Sequence, residues 1–277
     1  MSRLSYLRAL EIDVWERRDL QKAPAAVLVE QPSPQARQPI PVTTAPVIPA
    51  SVPVVPDTQM DAAAAATSTM AIATMAIATM DWDALEKSVR GCTRCPLHAT
   101  RTQAVFGVGN RTAQWMVIGE APGADEDRQG EPFVGRAGQL LNTMLNAMGL
   151  AREQVFIANI LKSRPPGNRD PRPEEVRACI PYLYRQIELV NPRLILCVGR
   201  IAAQTLLETD ATIGKLRGKV HHLANGRPMI VTYHPAYLLR SPGEKRKSWA
   251  DLLLALQTFE RLSQSQGTQP RCNLDVD

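Results

Sequence analysis

Short apolar runs alternate with helical repeats from residue 115 onward, and this alternation predicts a parallel sheet. Four runs are continuous in hydrophobic residues, as strands buried on both faces are: WMVIGE, VFIANI, RLILCVG and PMIVTYH. Four other segments repeat apolar residues at helical spacing: AGQLLNTMLNAMG, PEEVRACIPYLYRQIELV, RIAAQTLLE and KRKSWADLLLALQTFERL. Strands that alternate with helices are typical of an α/β fold whose sheet is covered on both faces.

The chain of 277 residues divides into four segments of different composition. Residues 1–22 carry leucines at helical spacing and predict a short N-terminal helix. Residues 23–80 are rich in proline and alanine and predict a disordered linker. Residues 81–263 contain all the apolar runs and are numerous enough to bury a core, whereas residues 264–277 predict a flexible tail.

Composition restricts the environment and the partners of the protein. The linker contains TMAIATMAIATM, which approaches the length of a membrane span, about 20 residues. Its threonines and weakly apolar alanines favour a tether, so we expect no membrane association. The N-terminus has no apolar signal segment, which predicts a reducing, cytoplasmic compartment. A net charge of +5 favours a polyanionic partner without identifying one.

Polar and glycine-rich loops follow three of the predicted strands. Their sequences are GEAPGADED, NILKSRPPGNR and HPAYLLR. In a parallel sheet, ligands bind beyond the carboxyl ends of the strands, so these loops predict one site. Gly107-Val108-Gly109 resembles half of a dinucleotide fingerprint, but it precedes the first strand, and we expect no cradle for nucleotide phosphates.

Four cysteines form a candidate metal centre. Cys92 and Cys95 make a C-x-x-C pair, and Cys179 and Cys197 lie in a predicted helix and a predicted strand. In a reducing compartment such a set favours metal ligation over disulfides. Four thiolates suit either zinc or an iron–sulfur cluster, and the spacing does not choose between them. Alternatively, Cys179 and Cys197 are core residues.

The loop motifs resemble those of the family 4 uracil-DNA glycosylases, the iron–sulfur members of that superfamily. The resemblance covers Cys92–Leu256 and rests on GEAPGADEDRQGEPFVGRAGQLL, NILKSRPPGNRDP and HPAYLLR. It implies a three-layer α/β/α sandwich around a four-stranded, mainly parallel sheet, with a [4Fe–4S] cluster on the four cysteines. It also implies removal of uracil from DNA, which leaves an abasic site, and we expect a monomer.

The resemblance gives roles to four residues around uracil. His234 would donate a hydrogen bond to O2, with the backbone N–H of Ala121 as a second donor. Asn159 would read O4 and N3, since an amide offers both a donor and an acceptor. Phe133 would stack on the flipped base. The alternatives are a capped or core histidine, an asparagine at a strand end that caps a turn, and ordinary core packing of the phenylalanine.

Carboxylates in the first loop are candidates for handling the attacking water. We expect Glu126 to orient the water or to support the cationic sugar, and Glu120 to hold the loop. Asp125 and Asp127 compete for the same role, and a solvated acidic face is the alternative for all of them.

Rim residues are expected to contact the DNA backbone and to replace the flipped base. Leu238 or Leu239 would fill the gap in the base stack, unless both cover the core. Four basic residues are candidate phosphate contacts: Lys162, Arg164, Arg169 and Arg240.

Other functions are weighed against uracil excision. A sister family with a broader base preference is disfavoured by Asn159, and covalent capture of DNA is disfavoured because KSRPPGNRDPRPEEVRAC has no histidine. A catalytically weak iron–sulfur binding module of a replication assembly is a further alternative. The segment RLSYLRALEIDVWERR resembles the motif by which the clamp-loader psi subunit docks on chi, although Glu11 stands where that motif prefers glycine. It predicts a replication partner for residues 1–22.

Overall fold

The computed structural model describes residues 74–267 of the protein. The predicted N-terminal helix, most of the predicted linker and the end of the chain lie outside this range. Residues 74–78 are helical and Ile77 is 3% exposed within the core, so folded structure begins inside the range predicted as linker. Within the described range, no helix combines the length and the apolar character needed to cross a bilayer.

Six strands form one sheet in the order β1-β3-β2-β4-β6-β5. The four predicted strands are its centre and run parallel: β2 (Trp115–Gly119), β3 (Phe156–Asn159), β4 (Leu194–Val198) and β6 (Pro228–Thr232). Antiparallel edge strands β1 (Val108–Gly109) and β5 (Val220–His222) extend it beyond the four strands expected. Strands of two and three residues leave no hydrophobic run in the sequence, which is why they escape prediction.

Helices connect these strands and cover both faces of the sheet. From Asp81 onward they are α1 (Trp82–Arg90), α2 (Ala124–Gln129), α3 (Arg136–Ala147), α4 (Pro173–Val190), α5 (Arg200–Leu207), α6 (Ile213–Leu216), α7 (Pro235–Arg240) and α8 (Lys245–Gly267). The predicted helical segments correspond to α3, α4, α5 and α8. The side chain of Asp81 begins α1 by accepting a hydrogen bond from the Ala84 N–H at 2.9 Å.

The core consists of two apolar layers, one on each face of the sheet. In β2, Met116 and Ile118 pack towards α1, α4 and α5, whereas Trp115 and Val117 pack towards α3 and α8. This alternation along a buried strand confirms the predicted α/β/α sandwich.

The carboxyl ends of the central strands bring the motif loops together. Gly119 and Asn159 end β2 and β3 and pair directly across the sheet. His234 lies two residues after Thr232, the last residue of β6, at the same edge of the sheet. The three loops predicted to bind a ligand therefore share one edge of the sheet, as the position of binding sites in such folds requires.

Candidate active site

A cleft of about 390 Å³ opens where the motif loops meet. Eight of the predicted site residues line it: Glu120, Ala121, Glu126, Phe133, Asn159, Arg169, His234 and Arg240. The cleft combines hydrogen-bonding groups, an aromatic ring and charged side chains, and can therefore hold a flat polar ligand beside an anionic chain.

His234 joins β6 to α7, and its imidazole lines the cleft. Its Nδ1 accepts a hydrogen bond from the backbone N–H of Ala236 at 3.1 Å, which leaves Nε2 as the protonated nitrogen of the neutral ring. Burial, with a smaller effect from the charge of Arg240, lowers the pKa of His234 to about 4. The ring is thus a neutral donor at physiological pH. The backbone N–H of Ala121, which donates to no other described residue, is a second donor in the cleft.

Asn159 brings an unpaired amide oxygen to the cleft. Its side chain is 2% exposed, and its Oδ1 accepts no hydrogen bond from any residue that the structure describes. A buried acceptor without a donor costs about 1–3 kcal/mol, so the site favours a ligand that supplies an N–H. Gly119 makes room for this group, because a Cβ there would lie 2.5 Å from Oδ1 and 2.6 Å from Cζ of Phe133.

Phe133 holds its ring in the wall of the cleft through an unusual backbone conformation. Its φ of 55° lies in the left-handed region, which costs a non-glycine residue on the order of 1–3 kcal/mol. Arg152 stabilises this backbone by donating to the carbonyl oxygens of Phe133 at 3.3 Å and Pro132 at 2.6 Å. The ring lies beside the imidazole of His234, with centroids 5.6 Å apart and planes inclined by 29°. The Phe133 ring therefore contributes an aromatic surface to the wall of the cleft.

Glu126 connects the two loops that form one wall of the cleft. One carboxylate oxygen accepts from the backbone N–H of Gly123 at 3.1 Å, and the other accepts from Val134 at 3.0 Å and Gly135 at 3.1 Å. Because both oxygens are engaged by backbone, Glu126 is a positioning residue. It has the loop-holding role expected of Glu120, and its expected role towards water or the cationic sugar stays a prediction.

Glu120 carries the carboxyl group that is suited to proton transfer. It lines the cleft, and its side chain has no hydrogen-bond partner in the described part of the chain. Burial, reinforced by the negative charge of Asp170 and opposed by Arg200, raises the pKa of Glu120 to about 7. A carboxyl group that titrates near neutrality can act as a general base at physiological pH.

The two competing acids of the first loop are both engaged. Asp125 forms an ion pair with Arg128 on the surface of α2. Asp127 is 4% exposed and accepts from the backbone N–H of Thr102 at 3.0 and 3.1 Å. These contacts hold α2 in place and leave Glu120 as the available carboxyl group.

Asp170 and Arg200 belong to the site although no sequence pattern singles them out. They form an ion pair of 2.8 Å, and Asp170 lines the cleft near Glu120. Arg200 is the first residue of α5, which follows β4 at the edge of the sheet that carries the site. The ion pair shows that this helix start lies near the loop after β3, although β2 separates β3 from β4 in the sheet.

Lys162 is not a rim residue, and the prediction that it contacts phosphate is wrong. Its side chain is 2% exposed, and its Nζ donates to the carbonyl oxygen of Asn159 at 2.9 Å and to Oε1 of Gln186 at 2.6 Å. Burial lowers the pKa of Lys162 to about 8. Its bonds tie the end of β3 to α4 and so fix the residue that carries the unpaired amide.

The two neighbouring leucines of α7 have different environments. Leu238 is 1% exposed and packs in the core, so the prediction that it fills a gap in DNA is wrong. Leu239 is 36% exposed, next to the exposed Tyr237, which lines the cleft and was not predicted. The segment forms a helix, in which consecutive side chains point about 100° apart, so one leucine is buried while the other faces outward.

Two of the three predicted basic side chains at the rim, Arg164 and Arg169, are held in defined positions. Arg240 is exposed at the end of α7. Arg169 makes a bidentate ion pair with the buried Glu175 at 2.5 and 2.9 Å. Arg164 donates to Oδ1 of Asn168 at 2.7 Å. Guanidinium groups fixed in this way suit contacts with phosphate.

Three of the predicted metal ligands meet at a second, small cavity. Cys92, Cys95 and Cys179 line it, together with Ser163 and Arg94. Burial is the main reason that the pKa of Cys179 rises to about 11, and Cys92 and Cys95 add to this effect. The three thiols are therefore close enough to influence one another's ionisation.

Cys197 does not join the other cysteines, and the prediction that it shares their site is corrected. It is fully buried in β4, where it pairs with Ile118 and Val231 across the sheet. Burial alone raises its pKa, without a contribution from another cysteine. A thiol in the middle of a central strand packs as a small hydrophobic residue.

The hydrogen-bond donors around the cysteine cavity suit an anionic group. In the part of the chain that the structure describes, no three His, Cys, Asp or Glu side chains are arranged to hold one metal ion. Both terminal nitrogens of Arg94 are buried there without a hydrogen-bond partner, and Arg101 donates to Oγ of Ser163 at 2.9 Å. The backbone N–H of Lys162 donates to Sγ of Cys179 at 3.1 Å. Such donors are the groups that stabilise sulfur-bound iron clusters.

Comparisons with known proteins agree with this geometry. The family model described as the Uracil DNA glycosylase superfamily matches residues 106–254. A type-4 uracil-DNA glycosylase of Archaeoglobus fulgidus is 48% identical over 167 residues, which cover 58% of this chain and 84% of that protein. Type-4 enzymes of Pyrobaculum aerophilum and Thermotoga maritima are 43% and 44% identical over 185 and 158 residues; these cover 63% and 57% of this chain and 93% and 82% of those proteins.

The matched residues include every residue that lines the cleft, from Glu120 to Arg240. The three relatives are also covered over most of their own lengths. The chain therefore belongs to the uracil-DNA glycosylase superfamily and, within it, to the type-4 family.

Proposed function

We propose that this protein hydrolyses the N-glycosidic bond between uracil and deoxyribose in DNA, leaving an abasic site for base excision repair. The observation that carries the proposal is the presence, in one cleft, of the neutral His234 donor and the unpaired amide oxygen of Asn159. Uracil needs an acceptor for its N3–H and a donor for its O2. The amide oxygen of Asn159 can accept from N3–H, and His234 can donate to O2. Cytosine has no N3–H and is mismatched.

The first chemical task is to stabilise uracil as it leaves the sugar. When the N1–C1′ bond breaks, the electron pair stays on uracil and negative charge collects at O2. The Nε2–H of His234 and the backbone N–H of Ala121 are the donors that would receive it. Removing one such donor typically costs about 2.7–4 kcal/mol of transition-state stabilisation. A neutral histidine serves here because it is fixed in place before the charge develops.

The second task is to deliver water to C1′ of the cationic sugar. Glu120 is the residue that we assign to it, because its carboxyl group lines the cleft and has a pKa of about 7. In its ionised form it would accept a proton from the water as the oxygen bonds to C1′. General-base assistance of this kind is typically worth about 10²–10⁴-fold in rate.

The base must leave the stack before it reaches the cleft. Phe133 offers a face for the flipped base, and stacking of this kind is worth about 1–3 kcal/mol per base. Leu239, exposed on α7, would occupy the gap in the DNA. Arg164, Arg169 and Arg240 would hold the phosphates around the extruded nucleotide.

The cysteine cavity would hold a [4Fe–4S] cluster through Cys92, Cys95 and Cys179. When bound, such a cluster supplies a covalent cross-link between segments that are distant in sequence. In this chain it would join residues 92–95 to α4 and, through Lys162, to the end of β3. Hydrolysis of a glycosidic bond transfers no electrons, so the catalytic steps are those of the cleft residues.

A separate proposal concerns residues 1–22, which lie outside the described residues. We propose that they dock the enzyme on a replication protein and that the enzyme acts as a monomer. Pull-down with the full chain and with a chain lacking these residues tests the docking. If both recover the same partners, the segment has no such role.

Uracil release from a labelled oligonucleotide with a single uracil, followed by alkali cleavage, tests the main proposal. We expect wild type to create an alkali-labile site and His234→Ala to slow its formation by about 10²–10³-fold. Asn159→Ala should also lose activity, whereas His222→Ala, on the distant edge strand β5, should not. Intact DNA after incubation with iron-replete wild type would refute the enzyme and favour a binding role. Equal rates for His234→Ala and wild type would reject the donor.

A further inference from the structure

We infer that an oxygen atom, Oγ of Ser163, completes the ligand set of the cysteine cavity. The inference rests on the proposed iron–sulfur cluster and concerns which atoms of this chain would bind it. It replaces four thiolates by three thiolates and one hydroxyl oxygen. Cys197 is excluded from the set.

Ser163 is placed at the cavity by the backbone that leads out of β3. It is 4% exposed and lines the cavity with the three cysteines. The N–H of Ile160 donates to the carbonyl oxygen of Gly119, the last residue of β2, at 2.9 Å, and the N–H of Leu161 donates to that of Glu120 at 3.0 Å. The N–H of Lys162 donates to Sγ of Cys179 at 3.1 Å. Three successive backbone bonds therefore fix the position of the residue that follows, and a hydrogen bond from Arg101 holds its hydroxyl at the cavity.

Other possible ligands near the cavity are already engaged. The hydroxyl of Tyr182 shares a hydrogen bond of 3.2 Å with Ser88. The carboxylate of Glu175 is held by Arg169. His98 is exposed and does not line the cavity. Of the two hydroxyls among the described residues that line the cavity, that of Ser163 accepts a hydrogen bond from a cation, and its remaining lone pair can bind a metal.

The charges around Ser163 favour a ligating hydroxyl. Arg101 donates to its Oγ at 2.9 Å and is itself anchored to the carbonyl oxygen of Arg90 at 3.0 Å. A guanidinium that donates to this oxygen offsets the negative charge of a bound cluster and leaves a lone pair of Oγ for iron. The unpartnered terminal nitrogens of Arg94 add positive charge to the same wall. The surroundings therefore suit an anionic cluster with one oxygen ligand.

One consequence is that the iron bound to Ser163 differs from the other three. Oxygen is a harder ligand than thiolate, so this iron has a distinct electronic environment and is held less firmly. If ferricyanide removes one electron from a [4Fe–4S]²⁺ cluster, release of that iron as Fe²⁺ leaves [3Fe–4S]⁺ and ferrocyanide. Charge and atoms balance in this step. We expect the iron bound to Ser163 to be the one that leaves.

Mössbauer spectroscopy of the full chain, reconstituted without oxygen from isotopically enriched iron and sulfide, tests the inference. We expect wild type to show one iron that differs from three, and Ser163→Cys to remove that difference and to slow iron loss to ferricyanide. Ser163→Ala should release that iron faster and accumulate the spectrum of a [3Fe–4S] cluster. Cys197→Ala should match wild type in iron content and spectrum.

Two results would overturn the ligand assignment while the cluster stands. One is a Ser163→Ala spectrum identical to that of wild type. The other is loss of iron from a Cys197→Ala protein whose circular dichroism shows a native fold. A wild-type chain that binds no iron and sulfide would overturn the proposed cluster itself. Uracil release by the same preparations is a separate readout, so failure of the ligand assignment is distinguishable from failure of the proposed activity.

Discussion

At the scale of single residues, burial sets the protonation of the groups on which the proposed chemistry depends. It lowers the pKa of His234 to about 4, raises that of Glu120 to about 7 and lowers that of Lys162 to about 8. In each case burial is the largest cause, because a low-dielectric environment disfavours the charged form. Near neutral pH the cleft therefore contains a neutral donor and a carboxyl group that is close to its titration midpoint.

Glu120→Gln tests the base through the pH dependence of single-turnover rates. In wild type we expect the rate to rise as pH increases through about 7, because the Glu120 carboxyl, whose pKa is raised to about 7, becomes ionised. His234, with a pKa of about 4, does not titrate in that window. The variant should be about 10²–10⁴-fold slower and nearly independent of pH there. Asp125→Asn, which changes an acid paired with Arg128, is the control and should keep the rise.

Persistence of the same pH profile in Glu120→Gln would assign the base to another group.

Asn159→Asp tests the amide that is proposed to read uracil. A carboxylate has no donor for O4, so an acceptor of the base faces an acceptor of the protein, at a cost of about 1–3 kcal/mol. Uracil excision should fall accordingly, and the ratio of cytosine to uracil release should rise, because cytosine presents an amino group there. Asn168→Asp, at the rim of the cleft, is the control. Unchanged discrimination between the two bases would reject Asn159 as the reader.

At the scale of elements, the sequence predicts those that build the layers and misses those that shape the site. The central strands and the long helices must place apolar residues periodically over many positions, and this period is visible in the sequence. The helices α2 and α7 have six residues each, too few for a period to show. For this reason the sequence does not distinguish Leu238 from Leu239, whereas the helix does.

The candidate site residues also fall into two groups, those that the sequence places correctly and those that it does not. His234, Asn159 and Phe133 stand in motifs that follow strand ends or resemble a known family, and the structure brings all three to one cleft. Lys162 and Cys197 have side chains of functional types, but tertiary packing buries both. Their burial depends on how α4 and the neighbouring strands cover them, which residue type and spacing do not reveal.

The two leucines of α7 form a matched pair for testing the role of this element. Leu239→Ala should lower excision from duplex DNA more than from single strands, because only the duplex must be opened and refilled at the extruded base. The free energy of unfolding of the Leu239→Ala protein should equal that of wild type, since the Leu239 side chain is 36% exposed. Leu238→Ala should instead destabilise the protein by about 2–5 kcal/mol, because it leaves a cavity in the core.

Denaturant unfolding and excision rates on both substrates separate these outcomes. A Leu239→Ala protein that loses stability without losing duplex activity would remove the side chain from the DNA interface.

At the scale of the whole molecule, one stretch of chain connects the cleft to the cysteine cavity. It begins at Asn159, whose carbonyl oxygen binds the buried amine of Lys162, and it ends at Ser163 in the other cavity. The N–H of Lys162 also contacts Sγ of Cys179. Ligation at the cysteines would therefore fix the segment that carries the recognition amide, which links the two sites through backbone geometry without requiring electron transfer.

The overall charge of the protein acts on DNA binding through the few cations that face the cleft. The formal net charge is +5, but a charge far from the DNA releases no counterions from it. Arg240→Gln should therefore weaken binding to a uracil-free duplex and reduce the slope of log affinity against log salt by about 0.9. Arg261→Gln, near the end of α8, changes the net charge equally and should leave the slope unaltered.

Fluorescence anisotropy at several salt concentrations measures both slopes, and catalysis does not enter because the duplex contains no uracil. Equal slopes for Arg240→Gln and wild type would place Arg240 outside the interface. Arg169 would then be the nearest alternative, although its ion pair with Glu175 already satisfies part of its guanidinium. The comparison thus decides whether binding depends on the net charge or on the position of one cation at the rim.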